Sequence, residues 1–365
     1  MRRTALFVST VVAGLLAALL VSVPAAPASE KYPVPYNFLP YAVAGGAQED
    51  PPGANDWSCK PTRKHPRPVV LVHGTFGNKS TNWQTYAPLL HNNGYCVFAL
   101  TYGVDQTGVP GSEKFGGMTR MQDSAQELKR FVAKVRKATG ARKVDLVGHS
   151  QGTLMPTWWL KYLGGAPYVK RYVSLAPLWH GTQVAEPSAI AAPVFGADDE
   201  STPGCVACGQ FRSGSAFMKK IRAGGGPGID GISYTNIMTE YDQLVVPYTS
   251  GREPGMHNVV VQDHCDTDYS EHFQIAADPV AAGLARAAGA QARPLPPSGD
   301  EWLAGAPREG RHLVVLDSLR APLALGESAA YREGIDALEK AWFAPLLAAL
   351  RAGRLGMLTL HVPDA

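Results

Sequence analysis

The chain has 365 residues, of which 45% are hydrophobic and 18% are charged, so it is long enough to bury a large core in one to three domains. Its formal net charge of +3 is too small to indicate a nucleic-acid-binding protein or a polybasic contact with a membrane. The composition is that of an ordinary globular protein.

The first 28 residues have the pattern of a secretory signal peptide. An Arg-Arg pair precedes an almost continuously apolar run over 5–23, and Ala26-Pro27-Ala28 has the small-residue spacing of a cleavage site. We therefore expect the mature chain to begin at Ser29 and to be secreted. The alternative is an uncleaved membrane anchor, which the Pro and Ala cluster at the end of the run disfavours.

Beyond the signal peptide, short apolar strands alternate with helical patterns up to about residue 290. Strands are predicted at 68–72, 95–101, 144–147, 172–175, 232–238 and 259–262, and helices at 83–91, 119–139 and 152–163. This alternation predicts the α/β class, with a mostly parallel sheet covered by helices on both faces. The Pro-rich segment 32–68 is predicted to be an extended arm that wraps the domain, and 183–231 to be rich in loops.

One strand-to-helix junction contains a G-x-S-x-G pattern. Gly148-His149-Ser150-Gln151-Gly152 follows the predicted strand 144–147 and precedes a predicted helix, which is the context of a nucleophile elbow. The serine of such an elbow has a strained backbone, and larger residues two positions away would collide. Its hydroxyl then projects from the sheet, with the next N–H at a helix N-terminus. The alternative, a plain Gly-rich turn, fits this context less well, so Ser150 is the predicted nucleophile.

A nucleophilic serine needs a base, and the base needs a carboxylate that orients it. Downstream of an elbow of this kind, the chain order is an acidic residue and then a histidine. Asp242 lies just beyond the strand 232–238 and is the predicted carboxylate, with Glu240 as its competitor. His272 is the predicted base because it opens an apparent helix that would fix its loop, with His264 as the alternative.

The tetrahedral intermediate of acyl transfer also needs two N–H donors. We expect Gln151, next to the serine, to supply one of them. Thr75, in the loop after the first strand, is the most plausible source of the other, and its hydroxyl would be a further donor. His73 precedes the elbow and breaks the usual chain order, so it is predicted to shape this loop rather than to take part in catalysis.

Four segments in order resemble a known family. They are Val72-His73-Gly74-Thr75-Phe76-Gly77-Asn78, Gly148-His149-Ser150-Gln151-Gly152, Tyr241-Asp242-Gln243-Leu244-Val245-Val246-Pro247 and Glu271-His272. Together they resemble the secreted bacterial triacylglycerol lipases of the class 2 group, which have the α/β-hydrolase fold, over residues 32–290. The resemblance implies hydrolysis of fatty-acyl esters without a cofactor or metal. It assigns the nucleophile, orienting and base roles to Ser150, Asp242 and His272, and the oxyanion donors to Thr75 and Gln151.

The resemblance also implies the kind of partner. We expect a monomer that acts on a lipid or another water-insoluble ester, with contact to a lipid interface and none to nucleic acid. The apolar, tryptophan-rich helix predicted at 152–163 and the expected export extend this expectation to aliphatic polyesters. Substrate contacts are expected from Phe76, His149 and Trp179, although most tryptophans at helical spacing belong to a core. The alternatives are an acyltransferase or peptidase of the same fold, or a non-catalytic surface-binding relative.

The chain has five cysteines: Cys59, Cys96, Cys205, Cys208 and Cys265. Because export permits disulfides, we expect one bridge from Cys59 to Cys96, which would tie the arm to the sheet. A second is expected from Cys265 to Cys208, with Cys205 as the other possible partner, and the odd count leaves one thiol free. A metal site formed by His264 and the last three cysteines is the alternative, and it is less common in exported chains.

The composition changes after about residue 290. The segment 293–297 is Pro-rich and is predicted to be a linker, and the residues after it weakly resemble the C-terminal end of proteins labelled as phosphoglycerate-mutase-related. The predicted organisation is a signal peptide over 1–28, an α/β-hydrolase catalytic domain over 29–290, and a linker with a C-terminal extension over 291–365. Since every predicted catalytic residue precedes the extension, we expect catalysis not to need it.

Overall fold

The computed structural model describes residues 31–44, 49–104, 112–183 and 205–289. The predicted signal peptide and the predicted extension over 291–365 lie outside these ranges. Among the helices of the described ranges, none combines the length and the apolar character needed to cross a membrane.

A parallel sheet of six strands organises the described residues. The strands are β1 Val69–Val72, β2 Val97–Leu100, β3 Val144–His149, β4 Val169–Leu175, β5 Ser233–Met238 and β6 His257–Val260. Their order is β2-β1-β3-β4-β5-β6, and every neighbouring pair is parallel. The predicted α/β class is therefore confirmed. Strand ends differ from the predicted ones by up to three residues, because strands buried on both faces are continuous apolar runs without marked ends.

Helices cover both faces of the sheet. They are α1 Leu39–Ala44, α2 Lys79–Asn82, α3 Tyr86–Asn92, α4 Met121–Thr139, α5 Gln151–Tyr162, α6 Val206–Gln210, α7 Ala216–Arg222 and α8 Pro279–Gly289. The sequence predicted only α3, α4 and α5. Of the others, α1, α2, α6 and α7 have seven residues or fewer, so packing rather than periodicity defines them. The eleven-residue α8 was also missed.

The core has two layers, one on each face of the sheet. Alternate residues of one strand enter opposite layers: Val70 and Val72 belong to one, Val69 and Leu71 to the other. The helices α4, α5 and α7 pack into the first layer, and α3 and α8 into the second. Because the helices cover the two faces, the loops at the carboxyl ends of the strands are where polar residues can lie close together.

The segment that precedes β1 covers the edge strand β2. The Asn55 N–H donates to the Val97 carbonyl at 2.9 Å, and the Asn55 side chain pairs with both backbone groups of Ala99 at 2.9 and 3.0 Å. A disulfide between Cys59 and Cys96, as predicted, joins the same segment to the residue before β2. Edge strands with unpaired backbone groups promote aggregation, so this cover protects the sheet.

The second disulfide differs from the predicted one. Cys205 is bonded to Cys208, and Cys265 is the free thiol, so the predicted Cys208–Cys265 bridge is wrong. Cys205 caps the N-terminus of α6 and Cys208 lies in its first turn, which brings their Cα atoms to 5.4 Å, within the range of a disulfide. Cys265 instead lies in the turn after β6.

The two disulfides should differ in what their removal costs. The Cys59–Cys96 bridge closes a separation of 37 residues and the Cys205–Cys208 bridge one of three. In the chain-entropy model the first is worth about 4 kcal/mol and the second about 2 kcal/mol. We expect urea denaturation of the two paired Cys→Ser variants to show the larger loss for Cys59 and Cys96. Equal losses would contradict the loop-length argument.

Candidate active site

Ser150 lies at a sharp turn between β3 and α5. Its backbone has φ 53° and ψ −122°, in the left-handed half of the map that non-glycine residues seldom occupy. A Cβ on Gly152 would lie 2.0 Å from the Val72 carbonyl oxygen, and one on Gly148 would lie 2.1 Å from the Gly152 oxygen. Both flanking positions therefore require glycine. The chain continues from β1 to β2 on one side of the sheet and from β3 to β4 on the other, so the strand order reverses between β1 and β3. Ligands of parallel α/β sheets bind at the carboxyl ends of the strands at such points.

Three side chains from different loops meet at this turn. His272 Nε2 lies 2.9 Å from Ser150 Oγ, and His272 Nδ1 lies 2.9 Å from each carboxylate oxygen of Asp242. Because a carboxylate only accepts, the ring proton is assigned to Nδ1, and the Nε2 lone pair then faces the serine hydroxyl. The structure thus brings the three predicted residues together. The exposed Glu240 and the half-buried His264 are not in this chain of contacts.

The loop of Asp242 is fixed by its own backbone. Asp242 Oδ1 accepts hydrogen bonds from the amides at 244 and 245, at 2.9 and 2.7 Å. The neighbouring Gln243 joins this loop to the histidine loop: it accepts from the His272 N–H at 3.1 Å and donates to Glu271 at 2.6 Å. Both the carboxylate and the imidazole are therefore held before any substrate binds.

The environment of His272 sets its pKa. Burial lowers the pKa, but the charge of Asp242, the hydrogen bond to it and the charge of Glu271 together raise it more. The pKa of His272 therefore lies above its ordinary value of 6.5. A raised pKa makes the ring a stronger base, which suits a group that must take a proton from a serine hydroxyl.

His149 supports the main chain of His272 from behind. Its ring is fully buried, with Nε2 2.8 Å from the His272 carbonyl oxygen and Nδ1 3.1 Å from the Asn82 side-chain oxygen. Burial, followed by the charge of His272, lowers the pKa of His149 to about 3, so the ring is neutral. Both ring nitrogens thus face oxygen atoms, and a neutral ring has one N–H to donate. The Asn82 side-chain oxygen also accepts from the Gly74 N–H at 3.3 Å, so this pair of side chains joins the loop after β1 to the histidine loop.

The three residues expected to contact substrate differ in how deeply they are buried. Trp179 is fully buried, and its indole N–H donates to Asn236 at 3.0 Å. His149 and Trp179 therefore have the contacts of core residues and not of pocket walls. Phe76 is only partly buried, and its ring meets that of the exposed Phe115 edge-on at 6.4 Å between centroids.

The loop after β1 is shaped by His73, as predicted. The ring stacks on Tyr102 at 4.2 Å, its Nδ1 lies 2.7 Å from the Gly74 carbonyl oxygen, and its Nε2 accepts from the Tyr102 N–H at 3.2 Å. Burial lowers the pKa of His73 to about 4, which keeps the ring neutral. These bonds use both ring nitrogens and join the loop after β1 to the residues that follow β2.

The two predicted oxyanion donors lie side by side. The Thr75 hydroxyl donates to the Gln151 side-chain oxygen at 2.8 Å, which joins the loop after β1 to the first residue of α5. The first N–H groups of a helix have no partner within it, so the Gln151 N–H is available to a ligand. Gly117 packs closely against this pair, since a Cβ at that position would lie 2.6 Å from Gln151 Oε1 and 3.0 Å from Thr75 Cα. The role of Thr75 and Gln151 as donors remains a prediction.

Two further side chains extend the site and were missed by sequence reasoning. The ring of Phe273 meets His272 edge-on at 5.5 Å, and Phe38 stacks on Phe273 at 5.7 Å. Phe273 directly follows the predicted base and was therefore within reach of the sequence argument. No sequence pattern marks Phe38, since it lies in the Pro-rich segment far from every motif. The described residues contain no group of three or more His, Cys, Asp or Glu side chains placed to hold a metal ion.

A family match covers the larger part of the chain. Residues 66–284, more than half of the sequence, match the sequence model of the family described as Lipase (class 2). The matched range contains Ser150, Asp242 and His272. The match confirms the resemblance to class 2 lipases that the four sequence segments indicated.

Solved structures of hydrolases are similar at low sequence identity. Aspergillus fumigatus lipase B is 21% identical, with a TM-score of 0.49, over 70% of this chain and 62% of that chain. Bacillus licheniformis lipase BlEst2 in its mature form is 20% identical, with a TM-score of 0.46, over 67% of this chain and 95% of that chain. The chain thus spans less than two thirds of the Aspergillus lipase B chain. At these identities and TM-scores the likenesses carry no argument about activity.

Proposed function

The chain belongs to the class 2 lipase family, and from this premise we propose that it is a serine carboxylic-ester hydrolase that cleaves fatty-acyl esters. The observation that carries the proposal is the chain of contacts from Asp242 through His272 to Ser150, each link 2.9 Å long. A serine, a neutral histidine and a buried carboxylate in this order form the arrangement that activates a hydroxyl for attack on an acyl carbon.

In the proposed mechanism, Ser150 Oγ attacks the ester carbonyl carbon while His272 Nε2 takes its proton. The carbonyl π electrons move to the oxygen, and the resulting oxyanion accepts hydrogen bonds from the N–H groups of Gln151 and Thr75. The intermediate collapses, the bond to the alcohol oxygen breaks, and the Nε2 proton passes to that oxygen. Water then attacks the acyl-serine with the same base, releasing the fatty acid and restoring the serine hydroxyl.

Triacylglycerols are the proposed natural class of substrate, with aliphatic polyesters as a further class. The aromatic surface formed by Phe273 and Phe38 beside His272 supports an apolar acyl group. The polyester proposal drew on the tryptophans of α5, but Trp159 is buried, and Trp158 stacks on Phe217 at 5.4 Å. Support for polyesters is therefore weaker than support for fatty-acyl esters.

A substrate panel tests the proposed function. The full chain and its Ser150→Ala variant would be offered p-nitrophenyl butyrate and laurate, emulsified triacylglycerol, an aliphatic polyester film and a peptide. We expect serine-dependent release of acid from the esters and none of the peptide fragments. Cleavage of the peptide alone, or turnover equal in the two proteins, would contradict ester hydrolysis by this site. Transfer of the acyl group to an added alcohol in preference to water would indicate an acyltransferase.

The pH dependence of the reaction follows from the pKa of His272. The protonated ring cannot accept the serine proton, so kcat/KM should fall as the pH drops through the pKa of the free enzyme. Since that pKa lies above 6.5, the midpoint of the acidic limb is expected above pH 6.5. A profile of kcat/KM on a soluble ester measures it. A midpoint well below pH 6.5 would indicate that Asp242 does not hold the charge that raises the pKa of the base.

Export as a monomer is part of the proposal. The two disulfides support export, because such bonds persist in oxidising compartments. We expect N-terminal sequencing of the protein from culture medium to begin at Ser29, and size-exclusion chromatography to give the mass of one chain. Recovery of the protein only from the membrane fraction would favour an uncleaved anchor.

A further inference from the structure

We propose that residues 31–44, which include the first part of the predicted arm and are called the N-terminal arm from here on, form one wall of the acyl-binding site. This inference rests on the proposed ester-hydrolase function and adds to it the segment that holds the acyl chain. The arm lies outside the range that matches the family, which begins at residue 66.

Two side-chain amides clasp the arm by its backbone. Asn92 accepts from the Tyr32 N–H at 3.0 Å and donates to the Tyr32 carbonyl at 2.8 Å. Gln274 accepts from the Phe38 N–H at 3.1 Å and donates to the Tyr36 carbonyl at 3.1 Å. Each clasp uses both ends of one amide, so the arm has a defined course over the domain. The Gln274 clasp is only two residues beyond the proposed base.

Aromatic rings continue from the base to the arm. The Phe273 ring meets His272 edge-on at 5.5 Å, with 84° between the ring planes. Phe38 stacks on Phe273 at 5.7 Å and 28°. Phe273 is 37% exposed, so this apolar surface faces solvent beside the proposed catalytic histidine. Solvent-facing aromatic surface next to a reacting centre is suited to an apolar substituent of the substrate.

The arm also contacts the helix that follows the proposed oxyanion loop. Its helix α1 packs against α2, which begins directly after the loop that carries Thr75. One short segment therefore contacts the element behind the proposed oxyanion loop and the residue beside the proposed base. The arm residues Phe38, Leu39 and Tyr41 are half-buried in this position.

An acyl chain is the occupant that this surface fits. The surface consists of aromatic and aliphatic groups, and it is continuous with the ring that contacts His272. Each methylene that such a wall removes from water strengthens binding roughly fourfold. Loss of the wall should therefore affect long acyl chains far more than short ones.

The experiment compares the two clasps, because they hold the same arm at different distances from the site. The variants Gln274→Ala and Phe38→Ala release or remove the wall, and Asn92→Ala is the matched control that breaks the distant clasp. For each full-length protein, kcat/KM is measured on p-nitrophenyl laurate and p-nitrophenyl butyrate below the concentrations at which the esters aggregate. Thermal unfolding is recorded in parallel.

We expect the laurate-to-butyrate ratio to fall about tenfold in Gln274→Ala and Phe38→Ala, mainly through KM, and to stay at the wild-type value in Asn92→Ala. Phe38→Leu, which keeps an apolar side chain, should retain most of the ratio. A purely structural arm would lower stability in all variants and leave every ratio unchanged, and that result would overturn the inference. If Gln274→Ala does not fold, Phe38→Ala decides, since it removes no hydrogen bond.

The same measurements distinguish a failure of the arm proposal from a failure of the proposed function. If the wild-type protein cleaves both esters through Ser150 and the ratios do not respond to the arm, only the arm proposal fails. If the wild-type protein cleaves neither ester, the proposed function fails and the arm proposal fails with it.

Discussion

Replacement of Ser150 by alanine is expected to lower kcat on a soluble ester by about 10⁵-fold or more, since it removes the only atom that can form the acyl-enzyme. His272→Ala should lower kcat by a similar factor, because the hydroxyl then has no base 2.9 Å away. The double variant should be little worse than either single one, since the two groups act in one step. Steady-state kinetics on p-nitrophenyl butyrate measures all three.

His264→Ala is the matched control for this series. It lies in the turn after β6 and, unlike His272, does not bridge Asp242 and Ser150. Its kcat should stay close to the wild-type value. Abolition of activity in His264→Ala with survival in His272→Ala would show that the base has been assigned to the wrong histidine.

Asp242→Asn is expected to lower kcat by about 10⁴-fold, the size of loss that the same change causes in other serine triads. An amide at this position offers an N–H toward Nδ1, so the ring proton would move to Nε2 and face the serine hydroxyl. The fold should survive, because the Asn side-chain oxygen can still accept from the amides at 244 and 245. The measurement is a pH profile of kcat/KM beside a thermal melt.

Glu240→Gln is the control for the carboxylate. Glu240 is exposed, and its carboxylate accepts from the Tyr248 hydroxyl at 3.4 Å. We expect a change of less than about threefold, as for most exposed charges. If Glu240→Gln and Asp242→Asn lost activity equally, the buried contact between Asp242 and His272 would not be the one that orients the base.

The central sheet and the three candidate catalytic residues could be predicted from the sequence because both have local signatures. Apolar runs four to seven residues long, separated by helical patterns, indicate parallel strands buried on both faces. A Cβ at Gly148 or Gly152 would lie about 2 Å from a backbone oxygen, so only glycine fits at either position. This steric requirement is why the elbow has a recognisable sequence pattern. The order of acid and histidine after the serine then left two candidates for each role.

The remaining features depend on contacts between residues distant in sequence, and these leave no pattern. His149 lies next to the nucleophile in sequence, yet its ring is buried and lies 2.8 Å from the His272 carbonyl oxygen, 123 positions later. Trp179 is likewise buried, and a tryptophan after a strand can face either the core or a cleft. The arm is positioned by Gln274, more than 200 residues away, which no local window could indicate.

That long separation has a consequence for the order in which the chain can fold. The clasp joins Tyr36 and Phe38 to a side chain 236 to 238 positions later, so all six described strands lie between the residues it joins. Closing a loop of this length is entropically costly unless the intervening strands have already paired. We therefore expect the arm to dock last, after β6 and the histidine loop are in place. The first described segment to leave the ribosome would then be the final one to reach its native position, and a chain interrupted anywhere before residue 274 would lack the clasp that holds Tyr36 and Phe38 beside the histidine loop.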